Sequence, residues 1–214
     1  MIKLEKHTVM NLENAVRGTR NPLNSWAKSD SYVEIHGHFV VGKEDLNLCK
    51  KLCRAGGDHR KFMRQIFVSV DITAPIYWWK EFDTYKVGTV ANSTSTMHKI
   101  HSKPIEITDF SFDNISIDFG NGDESLSFEF LFEKTVEDCE TLRRLYAESK
   151  DVKYWRALIQ LLPESYNQLR TVTMNYENLL NMYHARKNHK LDEWHTFCDW
   201  IKKLPYSELI TGEE

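Results

Sequence analysis

Between residues 64 and 73 the chain keeps a strict two-residue rhythm, with Ile66, Val68, Val70 and Ile72 on one side and Phe67, Ser69 and Asp71 on the other. Alternation of this kind, made of β-branched residues, defines a strand with one buried face. The rhythm stops at Thr73-Ala74-Pro75. Proline lacks a backbone donor for a sheet ladder but suits the first turn of a helix. Residues 75–84 (Pro-Ile-Tyr-Trp-Trp-Lys-Glu-Phe-Asp-Thr) therefore read as a helix directly following the strand. A chain that must accommodate this switch builds a sheet with helices packed on it.

The remaining pattern is of the same kind. Residues 11–19 read as a short helix, and Asn21 to Ser25 as a turn. Tyr32 to Val41 alternates, with Val33, Ile35, Phe39 and Val41 opposite Glu34, His36 and His38, and predicts a half-buried strand. Leu46, Leu48, Cys49, Leu52 and Cys53 predict a helix over 43–54, closed by Ala55-Gly56-Gly57-Asp58. Residues 86–103 are polar and aperiodic, as functional loops often are. Ile115, Ile117 and Phe119, then Gly120-Asn121-Gly122, then Leu126, Phe128, Phe130 and Phe132 predict a hairpin over 112–132. Helices are expected at 135–149, 151–161, 164–187 and 190–203. The fold class is α+β: a small antiparallel or mixed sheet with a helical C-terminal half. The 214 residues suit a single domain.

Composition excludes several classes of function. The net charge of -3 offers no basic field for nucleic acid. No stretch approaches the ~18 apolar residues of a membrane span, and the charged start Met1-Ile-Lys-Leu-Glu-Lys-His is unlike a signal peptide. The four cysteines form no zinc or disulfide pattern, so free thiols in a cytoplasmic protein are expected. Glu34, His36 and His38 have a spacing that could bind metal, but the wet face of a strand looks the same and is the preferred reading. His184, His189 and His195, near Asp192 and Glu193, do not share one helix face.

Two constellations stand out. Asn175 and Arg186 lie eleven residues apart in one expected helix, on nearly the same face as Leu179 and Met182 and ~16 Å apart at 1.5 Å per residue. Such an arginine can clamp an anion or carbonyl group, or sit solvated at a helix C-terminus; periodicity alone favours the latter. Lys80, Lys86, His98, Lys99, His101 and Lys103 surround a loop rich in Ser and Thr, a composition that can cradle phosphate but is more often solvated surface.

Three stretches together resemble the flavin-dependent thymidylate synthases. They are Asn14-Ala15-Val16-Arg17-Gly18-Thr19-Arg20, the strand-to-helix passage from Phe67 to Tyr77, and the run from Leu162-Pro163 through Asn175, Leu179, Asn181 and Arg186 to Glu193-Trp194. With the intervening segments they span most of residues 11–203, and only the hairpin near 112–132 looks foreign, an insertion. The family's Arg-His-Arg-x-x-Ser-x-Asn-Glu-x-Ser-x-Arg-Tyr signature corresponds here to Thr84 through His98. Lys86 stands for its second Arg, Thr89 for its first Ser, and Asn92 and Ser95 recover its Asn and second Ser if one residue is inserted after Val90. Its first Arg, His, acidic residue and last Arg have no equivalent. The nearest match to the family's substrate-binding Arg near Ile159 is Arg156.

The resemblance implies roles residue by residue. Asn175 would contact flavin, with Gln65, Lys86, Thr89 and Asn92 around the cofactor. Lys80, Glu81 and Arg186 would face the nucleotide, and Ser95 and Arg186 would take the catalytic positions. It implies methylation of dUMP with FAD as cofactor, NADPH as reductant and methylene-tetrahydrofolate as carbon donor, in a homotetramer. The alternative is a protein that holds a nucleotide or flavin on the same scaffold without that chemistry.

Overall fold

The computed structural model describes residues 2–113, 115, 117–119 and 127–213. Its strands are β1 (Lys3–Met10), β2 (Tyr32–Val33), β3 (Phe39–Val40), β4 (Phe67–Pro75), β5 (Val90–Ser93) and β6 (Asn167–Asn175). Its α-helices are α1 (Leu12–Gly18), α2 (Lys43–Ala55), α3 (Ile76–Phe82), α4 (Thr96–Lys99), α5 (Phe128–Ser149), α6 (Val152–Leu161), α7 (Tyr176–Arg186), α8 (Asp192–Ile201) and α9 (Glu208–Thr211). Four strands form one antiparallel sheet in the order β1-β4-β6-β5, and β2 pairs with β3 by itself. The expected α+β class holds. On the polar face of the sheet Thr171 Oγ1 donates to Asp71 Oδ1 at 2.6 Å, and Thr173 bonds Ser69 at 3.4 Å, which marks the antiparallel β4–β6 register.

The passage at Ala74-Pro75 behaves as its sequence requires. β4 runs to Pro75 and α3 starts at the next residue, with Ile66, Val68, Val70, Ile72 and Ala74 all buried.

Three expectations are corrected. The segment 164–187 is not one helix. Residues Asn167–Asn175 are β6, because the β-branched run Thr171-Val172-Thr173 pairs with β4 and buries Val172 and Met174. Among the described residues of the expected hairpin over 112–132 there is no return strand. Phe128, Phe130 and Phe132 belong to α5, whose first turn is capped by Ser127 accepting from the Phe130 amide, and a single bridge joins Asp118 and Ser127. Phe128 and Phe132, one helical turn apart, meet at 6.0 Å and both pack against Phe112, so the aromatic repeat packs at helical spacing. The Gly120-Asn121-Gly122 turn lies outside the described residues. Finally, Tyr32 to Val41 is two two-residue strands around a turn, where Glu34 N–H donates to the His38 carbonyl at 2.8 Å. Ile35 is 100% exposed. Of the alternating set only Val41 is buried, with Phe39 partly covered.

By its contacts the chain divides into two compact units. One comprises Thr73–Glu81 and Ser93–Arg170. Its core is Ile100, Ile105, Phe110, Val136, Cys139 and Leu158 under the antiparallel pair α5 and α6. Trp79 is fully buried, donates its indole N–H to the Gln168 carbonyl at 3.0 Å and carries the Arg170 guanidinium over its ring at 4.2 Å.

The other unit comprises Ile2–Ile72, Phe82–Asn92 and Thr171–Glu214. Its core includes Phe62, Met63, Tyr176, Leu179, Met182, Trp194, Phe197 and Ile201. Arg20 and Asp45 form a buried ion pair at 2.7 Å, and Asp45 also accepts from the hydroxyls of Ser29 and Ser31 at 2.6 Å each. Burial alone would raise the Asp45 pKa, but the Ser29 and Ser31 hydroxyls and the Arg20 guanidinium outweigh it and hold the carboxyl below its ordinary value. Next to it Asp30 accepts from the first amides of α2, at 2.9 Å from Glu44 and 3.1 Å from Asp45. Gly42 permits that approach: a Cβ there would lie 2.2 Å from Asp30 Cγ. The four cysteines are free, and burial pushes the Cys49 thiol up to about 12, so it stays protonated and inert.

Removing one partner of a buried pair strands the other, at a cost of about 3–5 kcal/mol. Asp45→Ala is therefore expected to lower unfolding free energy by about that amount in urea titration. Because the folded carboxyl titrates below its ordinary value of 3.8, this stability is complete above that pH and is lost as pH falls through the lower folded value. The difference between wild type and Asp45→Ala should thus shrink on acidification below 3.8 and stay constant from there to neutrality.

Candidate functional site

The second unit brings together the end of β6, helix α7 and the turn Tyr85–Thr89. Asn175 is both the last residue of β6 and the N-cap of α7. Its side-chain oxygen accepts from the Asn178 amide at 2.9 Å, while Asn178 Oδ1 accepts from the Asn175 amide at 3.1 Å. This reciprocal cap satisfies amides that an N-terminus leaves unpaired, and it does so at a buried residue. The Tyr176 amide donates to the Ile66 carbonyl at 3.0 Å, which fixes the start of α7 beside the entry to β4. Glu177, in the first turn, takes Arg60 and Arg64. The hydrogen bond from Arg64, opposed by partial burial and aided by Arg60, holds its carboxyl below the usual value.

The turn is fastened to α7 at both ends. Asn178 Nδ2 donates to the Val87 carbonyl at 2.7 Å. Gly88 has φ +81, and a Cβ there would come within 3.1 Å of Asn175 Nδ2 and Asn178 Oδ1, so any side chain would strain the backbone and push on the two amides. Thr89 closes the turn with its hydroxyl on the Tyr85 carbonyl at 2.9 Å and its amide on the Lys86 carbonyl. At the far end of α7, Arg186 Nε donates to the Tyr85 hydroxyl at 3.0 Å. The guanidinium lies over the Trp194 ring at 4.9 Å and the Tyr85 ring at 5.6 Å. Behind it Phe82, Trp194 and Phe197 pack edge to face and stacked. Arg186 is therefore neither a solvated helix-end cation nor a buried orphan. It is a half-buried charge held by an aromatic box.

Gln65 lies at the edge of a cleft of about 1050 Å³ in the same unit. The cleft has an apolar floor of Leu48, Leu52, Phe62 and Phe67 and a polar rim that includes Arg17 and Lys61. One side is a chain of side-chain bonds. Arg17 donates to Asn14 at 2.9 Å, Asn14 to Asn11 at 2.8 Å, and Asn11 to the Gln65 carbonyl at 2.9 Å.

The structure thus groups Asn175, Arg186, Lys86 and Thr89 around one turn, with Gln65 one residue from the Ile66 carbonyl that receives Tyr176. Asn92 lies exposed on β5. The remaining expected residues belong to the other unit. Ser95 caps α4, accepting from the His98 amide at 3.0 Å. Lys80 pairs with Glu164, and Glu81 is half-buried on α3. Among the described residues no group of three or more His, Cys, Asp or Glu side chains could hold a metal. No helix among them is long and apolar enough to cross a membrane.

Sequence reasoning missed Tyr85, Asn178 and Trp194. Asn178 carried a local signal, since an amide three residues after Asn175 matches a capping pattern and marks the helix start at Tyr176. Tyr85 and Trp194 carried none, because their partner is 101 residues away for Tyr85 and eight for Trp194, across a loop.

No protein-family model and no curated protein matches the sequence. Solved structures match it in fold. A flavin-dependent thymidylate synthase ThyX from Helicobacter pylori, complexed with FAD and dUMP, superposes with a TM-score of 0.69 at 17% identity, over 99% of this chain and 98% of that one. A UMP/dUMP methylase PolB from Streptomyces cacaoi, bound with 5-Br dUMP, gives 0.59 at 14% identity, over 99% and 95%. At identities this low the likeness is one of fold: the chain is built, over nearly its whole length, on the mixed α/β scaffold that those two proteins share.

Proposed function

We propose that the protein binds a pyrimidine nucleotide beside FAD and methylates its base, as a thymidylate synthase-like enzyme acting on dUMP or a close relative. The observation that carries this reading is the clamp on α7, where Asn175 and Arg186 stand at opposite ends of an 11-residue helix with the Tyr85–Thr89 turn fastened between them. Arg186 would take the nucleotide. A guanidinium gives planar, charge-assisted donors suited to an anionic or carbonyl oxygen. Asn175, Gln65, Lys86 and Thr89 would hold the flavin, with Asn92 nearby.

The cleft beside Gln65 supports a flavin ligand. Its apolar floor suits a planar ring system, its rim cations Arg17 and Lys61 suit phosphates, and its volume is at the upper end of the ~300–1000 Å³ common for ligand sites. When bound, FAD supplies the hydride chemistry. NADPH as reductant, methylene-tetrahydrofolate as carbon donor and a homotetrameric assembly complete the reading. The protein's own part is positioning. Arg186 holds and polarises the base, and Asn175 holds the strand-to-helix corner against which the cofactor packs. The aromatic box keeps the guanidinium partly desolvated, which strengthens its bonds.

A second reading, a binding protein without methylation chemistry, is favoured by two residues with structural duties. The Ser95 hydroxyl serves as a helix cap, and Lys80 is ion-paired with Glu164. Absorbance separates ligand binding from its absence. Protein that retains a flavin spectrum through gel filtration, as purified or after FAD is added, supports the site. Colourless protein that ignores added FAD overturns the enzyme reading. Oxidation of the reduced flavin that depends on dUMP then distinguishes the enzyme from the binder.

Replacement of Arg186 by alanine should weaken dUMP binding at least about tenfold, the worth of a charge-assisted bond, in isothermal titration. Asn175→Ala removes the cap of α7 and should lower stability by about 1 kcal/mol or more, since the site is buried. It should weaken flavin retention as well, measured by the fraction of FAD bound after dialysis. Unchanged dUMP affinity in the Arg186 variant would rule out that role.

A further inference from the structure

The same pattern, Asn-x-Glu-Asn, begins two helices of this chain and is used differently in each. At Asn175 and Asn178 it makes the reciprocal cap of α7. At Asn11 and Asn14 it begins α1, where Asn11 is the N-cap, yet the Asn11 side chain caps nothing. Both side chains line the cleft beside Gln65 instead. Asn11 Nδ2 donates to the Gln65 carbonyl at 2.9 Å, Asn14 Nδ2 to Asn11 Oδ1 at 2.8 Å, and Arg17 to Asn14 Oδ1 at 2.9 Å. A main-chain carbonyl only accepts and a guanidinium only donates, so the two ends set the direction of both amides between them. The relay runs one way and ends on Arg17. Its root is the residue before Ile66, whose carbonyl receives the Tyr176 amide, so it stands on the corner where β4 and α7 begin. The helix forgoes a stabilising cap and gains an arginine with a set direction.

Arg17 is exposed on the wall of the cleft, and Lys61 stands on its rim. Asp58 is the one carboxylate in the lining among the described residues. Asn14 takes one terminal nitrogen of Arg17, and the planar fork has further N–H donors with which to meet an anion. We propose that Arg17 is the anion-recognition residue of the cleft, and that Asn14, with Asn11, is a positioning residue that aims it. The group recognised is an oxyanion, a diphosphate or a carboxylate, on a ligand whose planar part lies on the apolar floor. Ordering a long flexible side chain on binding costs affinity, and the relay orders Arg17 before the ligand arrives. The identity of the ligand rests on the methylation reading above, in which FAD brings a diphosphate and methylene-tetrahydrofolate brings carboxylates; the direction of the relay does not.

The test uses the full chain, the variants Arg17→Gln and Asn14→Leu, and inorganic pyrophosphate as the probe. Pyrophosphate is titrated while the Arg17 Nε–H resonance of ¹⁵N-labelled protein is followed. FAD against riboflavin, and folic acid against pterin, are compared by calorimetry. In wild type the Arg17 resonance should move saturably. Arg17→Gln should bind pyrophosphate about tenfold more weakly, and Asn14→Leu about threefold, the cost of ordering one flexible side chain on binding. Riboflavin and pterin should bind both variants as they bind wild type, with melting temperature unchanged to within ~2 °C. If Asn14→Leu weakens charged and uncharged ligands alike, Asn14 is merely structural and its positioning role is overturned. If Arg17→Gln loses the preference for FAD over riboflavin, the anion is the diphosphate; if it loses the preference for folic acid over pterin, the anion is the carboxylate tail. Pyrophosphate that leaves the Arg17 resonance unmoved, or that Arg17→Gln binds as well as wild type, overturns the proposal. If pyrophosphate moves Arg17 but wild type binds neither FAD nor folic acid, the methylation reading fails and the anion site stands.

Discussion

At Asn175 a buried strand becomes a helix within one residue, and the amides exposed by that change must be satisfied without water. The two asparagines do this for each other. Asn178 then has an amide hydrogen left, and it goes to the Val87 carbonyl. One side chain therefore completes the helix cap and fixes the turn over it. The position of α7, the approach of Gly88 and the reach of Arg186 back to Tyr85 all follow from this corner. Loss of the cap would release the turn as well as the first helical residues.

α7 is electrostatically consistent along its length. Glu177 sits in the first turn, where the helix dipole is positive, and is held there by Arg60 and Arg64. His184 and Arg186 occupy the last turn, where the dipole is negative. Between them Leu179, Met182 and Tyr183 are buried. The helix is anchored by apolar packing and polarised at both ends, so its C-terminal arginine can be held at the edge of an aromatic cluster rather than drawn into solvent. Trp194 and Phe197, from α8, supply the wall behind it. The Arg20–Asp45 pair does comparable work for the loops, tying Ser29 and Ser31 to the first turn of α2 near the cleft.

The elements that were legible in the sequence are those whose stability is encoded locally. The α1, α2, α6 and α8 helices have their own apolar periodicity, and β4 into α3 has both a strict alternation and a proline at the junction. β6 was not legible. Its outward face of Leu169, Thr171 and Thr173 is polar enough to suit a helix surface, and its strand character comes from pairing with β4, about a hundred residues earlier. β1 carries Lys3, Glu5, Lys6 and His7 on an edge strand and is mostly exposed, so no pattern announces it. The phenylalanine repeat from 128 to 132 fits a strand, but with its cap Ser127 and the long amphipathic continuation to Ser149 it packs as a helix. A period read over three residues cannot separate the two.

The site divides in the same way. The sequence by itself determined the α+β class and the strand-to-helix switch at Pro75, because periodicity and proline geometry are local properties. Only the tertiary structure decided that Arg186 is boxed by Tyr85 and Trp194, that Asn175 ends a strand instead of lying inside a helix, and that Ser95 and Lys80 have structural partners. Each of these depends on which distant residue supplies a hydrogen bond or covers a charge, and that choice is made by packing across the whole chain rather than by any window of it.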